Sequence, residues 1–335
     1  MNQFRMPAEW EPQKAIWLSW PHNVETWPAN LQQAQTEFVS LAKAIGESQT
    51  TNVMTPKREI ELAISQFGAA DHVRVVEMET DDAWARDYAP TFVKELGSEE
   101  LVAIDWYYNA WGGKYPPFDA DQQVAKRVAD LLKVRHIAGG LCFEGGAIEV
   151  NSEGVLLTTE SCALDPNRNA GLSRDEVESI LCQRLGCMRV VWLPGDVGEQ
   201  KTLCGDDTDG HIDQLARFVD DKTIVHAWVE EDDVRYEALA ANVDVLRQQL
   251  PNVRLVPLML PQRFEFFGRE IPASYCNFLI TNESIFVPQF SVAEDLAAVK
   301  VMQSLAVGRC VVPLPSRNLA VGLGSFHCLS QQQPE

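Results

Sequence analysis

From Gly146 onward the chain alternates short apolar runs with amphipathic stretches, in an order that repeats. Ala147 to Val150, a turn at Asn151-Ser152-Glu153-Gly154 and Val155 to Thr159 predict a hairpin, followed by a helix from about Arg174 to Leu185 and a strand from Arg189 to Leu193. That helix carries Val177, Ile180, Leu181 and Leu185 on one face, and Ser173 with Glu176 forms a capping box. A second copy follows: Ile212 to Val219, the turn Asp220-Asp221, Thr223 to Val229, a helix with Leu239, Val243, Leu246 and Leu250, then Val253 to Pro257. A third runs Tyr275 to Thr281, Asn282-Glu283, Ser284 to Val287, a helix opened by the box Ser291-x-x-Glu294, and Cys310 to Pro313. The copies lie roughly 60 to 65 residues apart, a period that signals a repeat architecture.

Two looser copies precede these. Thr91 to Leu96 and Leu101 to Trp106 make a hairpin before a helix near Asp121 to Leu132 and a strand Val134 to Ile137, while Ala15 to Trp20, a helix near Leu31 to Ile45 and Thr51 to Met54 make the other. One unit cannot bury its own sheet, so the pattern predicts an α/β fold of five pseudo-symmetric blades around an axis, one domain spanning residues 1–335. Periodicity leaves an ordinary mixed α/β sheet as the alternative.

Composition narrows the function. A chain of 335 residues, 46% hydrophobic and 23% charged, reads as globular. Its 48 acidic against 28 basic residues, a formal charge of −20, argue against nucleic acid as partner and suit a small cationic substrate. The N-terminus lacks an apolar leader core and no stretch approaches a membrane span, which predicts a soluble cytoplasmic protein. The eight cysteines read as reduced thiols, with Cys182 and Cys187 straddling a helix end as small buried hydrophobes.

Several segments could carry chemistry. His211 and Asp213 stand two apart in a run that reads as strand, which would send both side chains to one face. Cys328 lies in a short apolar segment near the C-terminus, and cysteine, histidine and acid together suffice for thiolate catalysis. On a strand, His327 would point away from Cys328, leaving His211 as the better partner. Asp81-Asp82-Ala83-Trp84-Ala85-Arg86-Asp87-Tyr88 crowds three carboxylates, an aromatic and an arginine before a strand, and Glu144 precedes paired glycines. Each group adjoins the start or end of a hairpin unit, as a central site between blades requires.

Together, Met6-Pro7-Ala8-Glu9-Trp10-Glu11-Pro12, Asp82-Ala83-Trp84-Ala85-Arg86-Asp87, Glu144-Gly145-Gly146, Gly210-His211-Ile212-Asp213 and His327-Cys328 followed by Gln331-Gln332-Gln333-Pro334 resemble the agmatine deiminase family, similar to the bacterial-type peptidylarginine deiminases. The resemblance covers nearly the whole chain. It implies a five-bladed pentein fold, no metal or organic cofactor, and a homodimer. It implies Cys328 as nucleophile, His211 as acid and base, Glu144 as the carboxylate supporting His211, Asp87 and Asp213 as guanidinium ligands, and Trp84 as a substrate-site tryptophan. The expected reaction is deimination of agmatine to N-carbamoylputrescine, a step toward putrescine. Asp209, Ala89 and Tyr88 depart from the family pattern and leave the substrate tail open. A peptidylarginine deiminase, an amidinotransferase, a metal hydrolase and a non-enzymatic binding propeller are the alternatives.

Overall fold

The computed structural model describes residues 3–68 and 70–335. Its strands form five sheets of three or four strands and one two-stranded ribbon. Each sheet is built the same way: a strand antiparallel to a second, then a helix, then a third strand parallel to the second. In the third unit Glu149–Val150 pairs antiparallel with Val155–Thr159, the helix Arg174–Leu185 crosses over, and Arg189–Leu193 returns parallel. The fourth uses Ala216–Asp220, Thr223–Trp228, Tyr236–Gln249 and Arg254–Met259; the fifth Leu279–Ile280, Ser284–Gln289, Asp295–Leu305 and Cys310–Pro315. The crossover helix lets each middle strand be apolar on both faces, which is why Val155–Thr159 and Thr223–Trp228 read as near-continuous hydrophobic runs.

The second unit, Thr91–Glu95, Leu101–Tyr107, Val124–Leu132 and Arg135–Cys142, gains Phe4–Arg5 as an edge strand. The first is completed from the far end of the chain: Ser330–Pro334 pairs antiparallel with Gln13–Ser19, which lies parallel to Thr50–Thr55 across the helix Leu31–Gly46. No local pattern announces that pairing, since Gln331-Gln332-Gln333-Pro334 is polar. A further helix, Ile60–Phe67, and strand, Val73–Glu77, extend this sheet.

Two expectations fail for one reason. Residues 212–215 do not begin a strand; Ile212–Gln214 is a 3₁₀ turn and the strand starts at Ala216. Gly145–Ala147 and Tyr275–Asn277 are 3₁₀ turns at the same place in their units, and Ala85–Tyr88 is a helical turn before Thr91–Glu95. These turns touch one another in chain order. The circuit closes where Arg86 N donates to Cys328 O at 3.0 Å in the turn preceding Ser330–Pro334, and where Asn277 grips that same turn. The Ser291–Glu294 box also fails to form: the Asp295 carboxylate instead accepts the Phe290, Ser291 and Val292 N–H groups. The Ser173–Glu176 box forms as read.

Buried ion pairs tie the units where the turns meet. Arg217, fully buried, donates from Nε to Glu149 at 2.6 Å, from Nη2 to Glu9 at 2.6 Å and from Nη1 to the Phe278 carbonyl at 2.9 Å. Burial alone would raise the Glu9 pKa, but Arg217 and then His327 hold it far below the usual carboxylate range. Removing one partner of such a pair leaves charge buried without compensation. Arg217→Leu is therefore expected to destabilise the protein by about 3–5 kcal/mol in urea unfolding; a loss under about 1 kcal/mol would show that the pairs are not what joins the units.

Candidate active site

The inner turns deliver side chains from all five units to one place. Gly146 shows how closely they pack: a Cβ there would lie 2.4 Å from His211 Nδ1 and 2.8 Å from Asp87 Oδ1, so only glycine fits. His211, wholly buried, has its Nδ1 3.8 Å from Asp87 and its Nε2 3.6 Å from Glu144. Cys328 Sγ lies 3.5 Å from Asp213 Oδ2 and receives the Asn277 amide N–H at 3.1 Å. The six residues singled out in the sequence are thus gathered, although His211 and Asp213 do not work as a same-face strand pair. The 3₁₀ turn sends His211 toward Asp87 and Glu144, and Asp213 toward Cys328.

A cavity of about 790 Å³ opens onto this cluster, with Trp84, Asp87, Trp111 and Cys328 in its wall. Trp84 stacks at 5.4 Å on Trp27 and leaves no room for a side chain at Gly324, where a Cβ would lie 2.4 Å from its ring. His211, Glu144 and Asp213 are fully buried and adjoin these wall residues, His211 at Asp87 and Asp213 at Cys328. Three atoms in this buried layer have unused hydrogen-bonding capacity: both ring nitrogens of His211 and Asp213 Oδ1. Buried polar atoms are rarely left so, and the two His211 nitrogens instead face Asp87 and Glu144 at 3.8 and 3.6 Å.

Electrostatics sort the roles. Burial would raise the Glu144 pKa, but Arg168, donating to both its oxygens at 2.8 and 3.0 Å, and His211 hold it at about 2. Burial disfavours charge on His211, yet Asp87, Cys162 and Glu144 outweigh it and keep its pKa well above that of free imidazole. Asp87 is pushed up by burial to about 6. Asp213 remains below the usual range because His327, 2.7 Å away, offsets its burial. Burial, with Asp213 and Asp87, drives the Cys328 thiol well above its ordinary value.

Several residues escaped the sequence reading. Asn277 accepts the backbone N–H groups of Ser325 and Cys328 at 3.1 and 3.2 Å. Residues 326–329 form a turn and not a strand, and His327 bridges Asp213 and Glu9 at 2.7 and 2.9 Å, sharing Asp213 Oδ2 with the Cys328 sulfur. Arg168 also donates to Asp209 at 2.7 Å, so Asp209, in the left-handed region at φ +64°, anchors the arginine that pins Glu144 and does not line the cavity. Tyr88 and Ala89 are buried behind the wall, with Tyr88 Oη donating to the Asp82 carbonyl at 2.7 Å. Asn277 and Trp111 could have been sought at hairpin starts and in the Trp111-Gly112-Gly113 turn; the pairing of Arg168 has no local signal. Glu144, Cys162 and His211 bring ligand atoms within 4.8 Å of one another, but Arg168 already supplies a positive charge on both Glu144 oxygens where a metal would sit.

This α/β architecture is shared with a dimethylarginine dimethylaminohydrolase, which superposes with a TM-score of 0.55 over 96% of this chain and 99% of its own at 12% identity, a likeness of fold alone. The chain belongs to the Porphyromonas-type peptidyl-arginine deiminase family, whose profile matches residues 5–334. It is 34% identical over 359 residues to the agmatine deiminase of Ectopseudomonas mendocina (strain ymp), covering 99% of this chain and 95% of that protein. Among solved structures, the agmatine deiminase of Enterococcus faecalis matches with a TM-score of 0.91 at 29% identity, covering 99% and 96% of the two chains. An agmatine deiminase of C. jejuni with substrate bound matches with a TM-score of 0.91 at 28% identity over the same shares.

The raised thiol pKa has a measurable consequence. With no cation in the site, Cys328 is held as the thiol below its folded pKa, so alkylation by neutral iodoacetamide is expected to be slow at neutral pH and still rising above about pH 9. A rate that levels off below about pH 8, read by mass spectrometry of the Cys328 peptide, would contradict this.

Proposed function

We propose that residues 1–335 act as one catalytic propeller domain that hydrolyses agmatine to N-carbamoylputrescine and ammonia through a covalent adduct on Cys328. One observation carries the reading: Cys328 and Asp87 line one cavity, with Asp213 3.5 Å from the sulfur and the buried His211 3.8 Å from Asp87. A guanidinium is planar, offers paired N–H donors and carries the charge this acidic site needs; Asp87 and Asp213 would hold it from two sides with its carbon against the sulfur. The names of the relatives support the same substrate.

In this reading the arriving cation and the imidazolium of His211 stabilise the Cys328 thiolate. Sulfur attacks the guanidinium carbon, the bond to one terminal nitrogen breaks, and ammonia leaves with a proton from His211. Glu144, ionised by Arg168, holds the ring and favours its protonated form before transfer. Water, deprotonated by the now neutral His211, attacks the carbon of the amidino-thioether, and the carbon–sulfur bond breaks, releasing the ureido product and regenerating the Cys328 thiolate. No metal or organic cofactor enters, and the enzyme works as a cytoplasmic homodimer on a small cation, without nucleic acid or membrane; no helix among the described residues is long and apolar enough to cross one.

Cys162 is the competing sulfur, since it lies close to Glu144 and His211. It is wholly buried and does not reach the cavity, whereas Cys328 lines it. Acidic residues of the cavity wall, Glu25, Glu79, Asp81, Asp82, Asp87, Asp121 and Asp207, outnumber its cations Arg58, Lys114 and Arg269, which favours an ammonium tail over a carboxylate. Side-by-side kcat/KM values test substrate choice: agmatine is expected to exceed free arginine and an arginyl peptide by at least about tenfold, and the reverse order would refute the assignment. Cys328→Ser is expected to lose at least about a hundredfold in rate, about 3 kcal/mol of transition-state stabilisation. Near-normal turnover by that variant would remove the mechanism.

A further inference from the structure

The segment Asn109-Ala110-Trp111-Gly112-Gly113 places four consecutive residues in the left-handed region, with φ of +54°, +57°, +85° and +81° from Ala110 to Gly113. Glycine adopts this backbone freely; alanine and tryptophan do so only when the surroundings impose it. Here Asn109 imposes it, since its Oδ1 accepts Gly112 N–H at 2.8 Å and its Nδ2 donates to the Asn167 carbonyl at 2.9 Å. The outcome of the turn is one direction. The Trp111 indole N–H reaches Asp87 Oδ2 at 2.9 Å, while the ring packs edge-on against Tyr108 and Tyr115 at 5.6 and 5.8 Å.

We propose that Trp111 is a positioning residue: its indole N–H, aimed by this turn, fixes the Asp87 carboxylate in the orientation that receives a guanidinium. Asp87 is held at two points, by Trp111 on Oδ2 and by Gly146 N–H on Oδ1 at 2.9 Å. Each oxygen retains a lone pair for the ligand. The ring alone could be supplied by phenylalanine; the N–H could not. The charged groups facing Asp87 are His211, Asp213 and Glu144, and of these the two carboxylates push it away, so a neutral donor is what can steady it without neutralising it.

The inference takes from the functional reading only that Asp87 binds the cation, so its test uses probes that are not substrates and holds whether or not agmatine turns over. In Trp111→Phe, alkylation of Cys328 is followed with 2-chloroacetamidine, a cationic amidine whose chloride leaves as sulfur attacks its CH₂ carbon, and with neutral iodoacetamide. The amidine rate is expected to fall about tenfold relative to the wild type, and the iodoacetamide rate to stay within about twofold. The acid limb of the amidine profile moves to higher pH, because loss of the donor raises the Asp87 pKa. In an Asp87→Asn background the same substitution adds no further loss. An unchanged ratio of the two rates, an equal fall in both, or a full effect in the Asp87→Asn background would overturn the proposal. Should Trp111→Phe fail to fold, Asn109→Ala, which releases the turn, is expected to lower the ratio in the same direction, and an unchanged ratio there overturns it equally.

Discussion

A single guanidinium, Arg217, stands where the units meet and makes their meeting rigid. It binds Glu149 from the third unit, Glu9 from the segment joining the two N-terminal strands, and carbonyls at the entry to the fifth. Glu9 passes the constraint on: one oxygen accepts the Ile280 N–H at 2.7 Å, the other faces His327, and His327 holds Asp213. Asp213 in turn lies beside the sulfur. The position of Cys328, supplied by the last few residues of the chain, therefore rests on charges contributed from its first residues and its middle. Buried pairs of this kind seldom add much net stability, but they allow only one arrangement of the groups around them.

The same network explains why so acidic a pocket can host a thiol nucleophile. Asp213 and Asp87 press the Cys328 proton onto the sulfur, and His327 is kept from compensating because burial, then Arg217 and Arg86, hold its own pKa down. His211 is the group kept positive, through Asp87, Cys162 and Glu144. Charge at the centre is thus arranged to be incomplete until a cation enters. In the proposed reaction, a nucleophile that ionises chiefly when its substrate is present would be protected from stray electrophiles, while Arg168 keeps Glu144 ionised.

Much of this was legible in the sequence. The repeated order of hairpin, helix and strand exposed five units, and Arg189–Leu193 and the capped helix Arg174–Leu185 stand where the hydrophobic rhythm puts them. Hidden were the features that depend on distant partners. The first sheet is closed by a polar strand, Ser330–Pro334, whose glutamines serve buried hydrogen bonds: Gln333 takes the Trp17 indole N–H and Gln332 takes Arg86. Ala147 and the inner turns at 212–214 and 275–277 read as strand because their apolar residues pack inward regardless of backbone form. That error reversed the directions of His211 and Asp213 relative to each other without altering which residues gather. Asp209 sits in a bend at φ +64°, and its carboxylate is the outer anchor of Arg168.

The central claim is that chemistry passes through Cys328 and not through the better-buried Cys162 beside His211. Acid quenching of the enzyme during turnover of agmatine, followed by peptide mass mapping, addresses it directly. The account predicts a mass increment corresponding to agmatine less ammonia on the peptide containing Cys328, absent without substrate. The same increment on the Cys162 peptide, or sustained turnover with no adduct on either cysteine under conditions where one would accumulate, would contradict it.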